Sequence, residues 1–250
     1  MVTSRARVTG RAGRRGARPA AAPRSPRLRA KVRAIASALE AAYGRPRPGE
    51  AKDPLSELVF TILSQHTSDT NRDRAWASLR AAFPGWEEAA SAPARRLEEA
   101  IRVGGLARVK SLVIRQVLRQ VKQAEGDYSL DRLRGLGMEE VESELSAFKG
   151  VGLKTIRCVQ AFSLGQPAFP VDTHVHRVAG RLGLIPSRTS FDQAHRILGA
   201  AAPPEDALPL HLNLITHGRR VCRAQKPLCG ACVLRRRCPF PLAGRPAGAR

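Results

Sequence analysis

Apolar residues recur at intervals of three and four along most of the chain, which is the spacing of one helix face. The clearest case starts at Asp53 and Pro54, because aspartate is a good N-cap and proline suits the first helical position. This pattern predicts a buried helix that ends in the polar stretch LSQHTSD, residues 63–69. One face of the helix carries only apolar residues: Leu55, Leu58, Val59, Ile62 and Leu63.

The same periodicity predicts helices along the rest of the chain, with almost none of the alternation that is typical of strands. A turn at Gly104 and Gly105 precedes a long amphipathic helix that closes near Gly126. Its buried face is predicted at Val109, Leu112, Val113, Val117 and Val121. Other helices are predicted at residues 32–43, 70–83, 87–90, 93–103, 138–148, 156–162, 173–184, 191–201 and 208–221. The predicted fold class is therefore all-α.

The net charge of the chain indicates a class of binding partner. Lys and Arg together number 43 against 21 Asp and Glu, a net charge of +22 at pH 7. Such an excess favours a polyanionic partner, although a GC-rich genome that encodes Arg in place of Lys accounts for part of it. No stretch of eighteen or more apolar residues is present, which argues against an integral membrane protein.

Both ends of the chain are predicted to be disordered, over residues 1–29 and 241–250. The first 33 residues hold eleven basic side chains and no acidic one, with repeated Gly, Ala and Pro. Such a tail would add nonspecific, salt-sensitive attraction to DNA. The alternative is an organelle transit peptide, since those are also rich in Arg and poor in acids.

A glycine step, Gly150-Val151-Gly152, stands between two apolar-periodic segments and is followed by Lys154 and, eighteen residues later, by Asp172. Two glycines so close together let the backbone turn sharply and approach a partner. Unpaired N–H groups at the start of the next helix suit a phosphate oxygen. By itself, Lys154 would be interpreted as a phosphate-binding lysine and Asp172 as a helix N-cap.

Four of the five cysteines fall in the last thirty residues, at the spacing C-x6-C-x2-C-x5-C: Cys222, Cys229, Cys232 and Cys238. This clustering indicates a metal centre in a reducing compartment and not a disulfide-rich secreted module. Either a tetrahedral zinc or a 4Fe-4S cluster would fit four thiolates. Cys158 lies apart from them, and we interpret it as a small core residue.

The run from Leu145 to Pro186, with GVGLKT followed by VDTH, resembles the helix-hairpin-helix and Gly/Pro-Asp motif of base-excision DNA glycosylases, above all the endonuclease III family. The resemblance extends over residues 30–240. It implies a two-domain helix-hairpin-helix glycosylase fold with a C-terminal 4Fe-4S cluster loop. A helical bundle would span 52–165, and a cluster domain would combine 30–51 with 166–240, with DNA between them.

By this resemblance, Lys154 and Asp172 are the catalytic pair. Lys154 would attack the sugar carbon C1′ of a damaged, oxidised pyrimidine nucleotide and form a Schiff base, from which β-elimination cuts the strand. Asp172 would assist by stabilising positive charge on the sugar. Gly150, Val151 and Gly152 would hold the DNA backbone, with Lys149 as a further phosphate contact.

Two further segments match the family's loops that enter the duplex when a nucleotide is flipped out. Gln65 and His66 stand where the family carries a plugging glutamine, and Leu106 stands where it carries an apolar wedge. Without the resemblance, the first pair would be a helix-end loop and Leu106 a core residue. The cysteine spacing is that of the family's cluster loop, which favours 4Fe-4S over zinc and directs Arg223 and Lys226 towards phosphates.

The sequence leaves other functions open. The same motifs are similar to those of plant 5-methylcytosine glycosylases, so a glycosylase for mismatched or methylated pyrimidines is one alternative. A noncatalytic iron-sulfur scaffold that binds DNA is another. We expect a monomer that binds damaged or abasic double-stranded DNA, in the bacterial cytoplasm at the nucleoid.

Overall fold

The computed structural model describes residues 25–240, and within this range the chain forms helices and no strand. The predicted all-α class is therefore confirmed. None of the described helices has both the length and the apolar character needed to span a bilayer. Of the predicted tails, residues 1–24 and 241–250 lie outside the described range. In chain order the α-helices of the described range are α1 (Pro26–Tyr43), α2 (Pro54–Leu63), α3 (Asp69–Ala82), α4 (Trp86–Ser91), α5 (Ala94–Ala100), α6 (Ala107–Glu125), α7 (Met138–Ser146), α8 (Leu153–Cys158), α9 (Thr173–Arg181), α10 (Phe191–Ala201) and α11 (Ala207–Arg220).

Helix α1 begins at Pro26, six residues before the predicted start, so residues 26–29 belong to a helix and not to a disordered tail. The basic residues of this segment hid a regular apolar row, and Pro26 occupies the first turn, where its missing N–H costs nothing. The row packs against the second of two hydrophobic cores through Leu28, Val32, Ile35 and Leu39.

Helix α2 forms as predicted and lies at the centre of the first core. The Asp53 side chain accepts a hydrogen bond from the Ser56 backbone N–H at 2.8 Å, which caps the helix. Almost every side chain of α2 is buried. The core around it is built from helices between residues 55 and 159, and its members include Leu58, Ile62, Leu79, Leu118 and Val159.

The second core joins the first helix of the described chain to its last three helices. Its members include Ile35, Leu39, Phe169, Leu198 and Leu214. Tyr43 of α1 and His217 of α11, which are 174 residues apart in sequence, are hydrogen-bonded at 2.8 Å. The two cores fall within the ranges 52–165 and 30–51 plus 166–240, although the division into domains remains a prediction. One ion pair connects a helix of each core: Arg219 of α11 donates to both carboxylate oxygens of Asp69 at the start of α3.

The long helix α6 has its expected bounds, but the predicted buried face is wrong in part. Val109 and Leu112 are 59% and 53% exposed, whereas Lys110 is only 2% exposed. The helix is rotated because the Lys110 ammonium finds two backbone carbonyl acceptors in the interior. Its buried apolar residues are Ile114, Val117, Leu118 and Val121.

Candidate active site

The glycine step forms a tight bend between α7 and α8, packed on α6. Gly150 has φ +93°, and a Cβ there would lie 2.9 Å from Cγ1 of Val113. The Lys149 backbone N–H donates to Gln120 Oε1 at 3.2 Å, which ties the bend to the same helix. Gly152 caps α8 and is exposed. Val151 is buried in the first core, and its backbone N–H donates to the Phe148 carbonyl at 3.1 Å.

Gly150→Ala is expected to lower the free energy of unfolding by roughly 2–4 kcal/mol, because the new side chain meets a left-handed backbone conformation and a β-branched neighbour. Gly152→Ala is the matched control, since a Cβ there meets no atom within 4 Å. Urea denaturation of the two variants measures the difference. Equal losses in both would contradict the close packing of the bend on Val113.

Lys154 is the second residue of α8 and is half-buried in the groove beside α2. Its Nζ lies 3.3 Å from Oγ of Ser64, the residue that follows α2. The Ser64 hydroxyl donates its own proton to the Thr61 carbonyl at 2.7 Å, so it accepts from the lysine. The lysine is therefore oriented by a serine that sequence reasoning missed, since a lone serine in a polar loop carries no distinguishing pattern.

Asp172 caps α9, and its Oδ1 accepts the Val175 backbone N–H at 2.7 Å. The N-cap interpretation is therefore confirmed. The charges of Asp172 and Lys154 both act on His211, which is 3% exposed and whose pKa burial lowers to about 4. Its ring makes edge contacts with Phe162 and Phe169. The charges of both predicted catalytic residues thus reach one buried histidine that is neutral at pH 7.

A buried polar row on α2 leads towards Lys154. Glu57 is 6% exposed and accepts a hydrogen bond from the Thr61 hydroxyl at 3.1 Å. Burial raises the pKa of Glu57 to about 7, against the opposing effects of the Thr61 hydrogen bond and of the positive charges of Lys52 and Lys154. Cys158, one helical turn after Lys154, is 5% exposed, and burial raises the pKa of its thiol. The sequence signal that could have revealed this row is Glu57, an acidic residue within the apolar pattern of α2.

Glu57→Gln is expected to change how stability depends on pH. The folded pKa of Glu57 lies above its ordinary value of 4.5, so the folded chain binds the proton more tightly than the unfolded chain. Wild-type stability therefore falls as pH rises from about 4.5 to about 7 and is flat above. The variant lacks this titrating group. Its free energy of unfolding should therefore rise by about 2 kcal/mol relative to that of wild type between pH 5 and pH 8.

Urea denaturation at the two pH values measures this gain, with the exposed Glu139→Gln as control. A pH-independent difference between wild type and Glu57→Gln would contradict a raised pKa at Glu57.

The predicted plug and wedge both lie at exposed loop positions with left-handed backbone. His66 has φ +50° and Leu106 has φ +49°. Within residues 25–240, four residues other than glycine have positive φ, and Lys226 is a third predicted DNA contact among them. Such conformations cost of order 1–3 kcal/mol and concentrate at functional sites. Leu106 is 56% exposed, which excludes the core interpretation, while Gln65 is half-buried beneath His66.

The four clustered cysteines line one cavity between α9, α11 and the last described loop. Arg181 Nη1 lies 3.4 Å from Sγ of Cys222, and His217 Nε2 lies 3.5 Å from Sγ of Cys232. In the described part of the chain, no three Cys, His, Asp or Glu side chains converge closely enough to hold a single metal ion.

The loop between the first two of these cysteines is fastened by Arg181, whose guanidinium donates to the carbonyls of Arg223 at 2.6 Å and Ala224 at 2.9 Å. The side chains of Arg223 and Lys226 are exposed on this loop. Arg181 was missed by sequence reasoning, because a basic residue in a chain with this charge attracts no notice.

Comparisons with known proteins agree with this geometry. Residues 59–204 match the HhH-GPD superfamily base excision DNA repair protein family. A putative DNA glycosylase of Arabidopsis thaliana is 41% identical over 177 residues, 71% of this chain and 60% of that protein. The chain thus spans less than two thirds of this relative's length. Endonuclease III of Thermotoga maritima is 33% identical over 195 residues, 78% of this chain and 87% of that protein.

A solved structure of a non-covalent endonuclease III–DNA complex has a similar fold. Its TM-score is 0.74 at 27% sequence identity, and the match covers 86% of this chain and 97% of that one. The whole described arrangement of two cores therefore has a counterpart that is bound to DNA.

Proposed function

The chain belongs to the HhH-GPD superfamily of base excision DNA repair proteins, and from this premise we propose that it is a bifunctional glycosylase that also cuts the strand. As an endonuclease III-like member it is a DNA glycosylase that acts on duplex DNA. The lyase step, the substrate and the roles of single residues form the proposal. The observation that carries it is the half-buried Lys154, whose Nζ donates to Ser64, at the motif position eighteen residues before Asp172.

The proposed chemistry begins when the neutral Lys154 amine attacks C1′ of the flipped nucleotide. The new N–C1′ bond forms as the bond between C1′ and the base breaks, and the base leaves with the electron pair and takes up a proton. Asp172 stabilises the positive charge that develops on the sugar. The attached Lys154 nitrogen then loses a proton, and its lone pair forms the C1′=N bond as the C1′–O4′ bond breaks and O4′ takes up a proton. The resulting Schiff base acidifies C2′, so loss of a C2′ proton expels the 3′ phosphate by β-elimination.

DNA would be held by the glycine bend and by the two loops. The exposed backbone of Gly150 and Gly152 allows a phosphate to approach closely, and Lys149 adds a positive charge beside it. Leu106 would enter the base stack, and His66 would occupy the gap left by the flipped nucleotide. The left-handed backbone at both residues supports this assignment, because it presents each side chain at a loop tip.

The four clustered cysteines are assigned to a 4Fe-4S cluster because their spacing, C-x6-C-x2-C-x5-C, resembles that of the endonuclease III cluster loop. Such a cluster takes one thiolate at each iron. All four cysteines line the same cavity, which supports one shared group. Cys222, Cys229, Cys232 and Cys238 would hold it. When bound, it would fix the short loop that carries Arg223 and Lys226, while Arg181 already supports that loop's backbone.

Strand cutting and borohydride trapping test the proposal. The wild-type chain is incubated with duplexes that carry thymine glycol, dihydrouracil, uracil, a G:T mismatch or a bare abasic site. We expect cutting at the oxidised pyrimidines and the abasic site, and a covalent adduct when borohydride reduces the Schiff base. Cutting only at the G:T mismatch would support the alternative substrate class, and tight binding without an adduct would overturn the lyase.

A further inference from the structure

One buried lysine joins the two loops that carry His66 and Leu106. Lys110 of α6 is 2% exposed, and its Nζ donates to the Leu63 carbonyl at 2.7 Å and to the Gly104 carbonyl at 2.8 Å. Burial lowers the pKa of this lysine. A buried ammonium is costly, and a methionine would fill the same space without that cost. The position therefore calls for a reason other than packing.

The two acceptors lie at the roots of the two loops. Leu63 is the last residue of α2, and its carbonyl stands three residues before His66. Gly104 ends a short helical turn two residues before Leu106. A single ammonium thus fixes the distance between two backbone segments that are 41 residues apart in sequence. No other described side chain is hydrogen-bonded to both loops.

The turn that carries Leu106 is also held by a contact with α3. A Cβ at Gly104 would lie 3.0 Å from Cβ of Ala75 on α3, so the backbone is pressed against that helix. Lys110 draws the same carbonyl towards α2. The turn therefore has little freedom at its root, while Leu106 at its tip is more than half exposed.

We propose that Lys110 is a positioning residue that holds the two loops at the separation at which His66 and Leu106 enter the duplex together. The proposal rests on the function proposed above. It gives Lys110 a role in which the side chain contacts neither DNA nor the reacting atoms. Its effect falls on the opening of the base pair and not on the attack by Lys154. A purely structural lysine would instead lower stability without a specific effect on duplex opening.

Duplex opening can be followed without chemistry. The probe is a duplex with 2-aminopurine opposite a tetrahydrofuran abasic analogue, which cannot form a Schiff base. Binding of the wild-type full chain is expected to raise the 2-aminopurine fluorescence. Lys110→Met at saturating concentration should reduce that rise at least threefold, while Lys122→Met on the last turn of the same helix should not. An unchanged rise in folded Lys110→Met overturns the proposal.

A double-variant cycle with Leu106→Ala separates positioning from stability. If Lys110 acts through the wedge, Lys110→Met should cause no further fall once Leu106 is removed. If the two losses of fluorescence multiply, the proposal is wrong. Should Lys110→Met fail to fold, Lys110→Arg replaces it in the same cycle, since the planar guanidinium cannot reproduce both short contacts of the ammonium. No fluorescence rise with the wild-type chain would instead count against the proposed function.

Discussion

Lys154→Gln is expected to abolish the borohydride-trapped adduct and to slow strand cutting at an abasic site by at least about a thousandfold, because an amide cannot form a Schiff base. The glutamine side chain is one atom shorter but remains polar and keeps an NH₂ donor on the side of Ser64, so the fold should be preserved. The measurement is a denaturing gel of reduced complexes, read beside the affinity for the tetrahydrofuran duplex. That affinity should change far less than the rate of cutting.

Lys149→Gln is the matched control, since this lysine lies five residues earlier on the exposed side of the bend. It should retain the adduct but bind DNA more weakly, and the slope of log affinity against log salt should fall by about one. An undiminished adduct in Lys154→Gln would show that another amine performs the attack.

With the proposed cluster ligands, Cys232→Ser is expected to lower the iron content of the chain and to lower the thermal midpoint by at least about 10 °C. Cys232 faces the cavity, and three of the four clustered cysteines pack against the second core, so loss of the cluster removes support from that core as well as from the loop. The free energy of metal binding contributes directly to the free energy of folding when the metal closes a short loop. In a chain of this size, a loss of a few kcal/mol lowers the thermal midpoint by about 10 °C. Iron analysis, visible absorbance and thermal melting measure the three consequences.

Cys158→Ala provides the comparison for this experiment, because Cys158 is buried in α8 and is remote from the cavity-lining set. It should keep its iron, with about four atoms per chain, and lose only the modest stability expected of a small core change. Full iron content in Cys232→Ser would refute the proposed ligand set.

Much of the fold follows from local pattern. The capped start of α2 and the bend at Gly150 depend on a few adjacent residues, and the structure has both where the sequence puts them. The buried face of α6 was harder to predict, because its apolar residues fit two neighbouring faces of the helix. Only the buried contacts of Lys110 with Leu63 and Gly104 decide between them.

The candidate site divides in the same way. Lys154 and Asp172 were found from motif and spacing, whereas the partners that orient or surround them were not. Ser64 lies 90 residues from Lys154 in sequence, and His211 enters from α11. Such contacts depend on how helices pack across long separations, which periodicity cannot report. The start of α1 was missed for a related reason, because its apolar row is covered only by helices that come much later in the chain.

The pairing of α1 with α11 constrains the order of events on the ribosome. Helices of the first core come from one continuous segment and can associate as soon as that segment has emerged. Helix α1 is made earlier but must wait for His217 and its neighbours, 174 residues behind Tyr43, before its apolar side is covered. During synthesis the apolar side of α1 therefore stays uncovered until the last helices of the described chain have emerged from the ribosome.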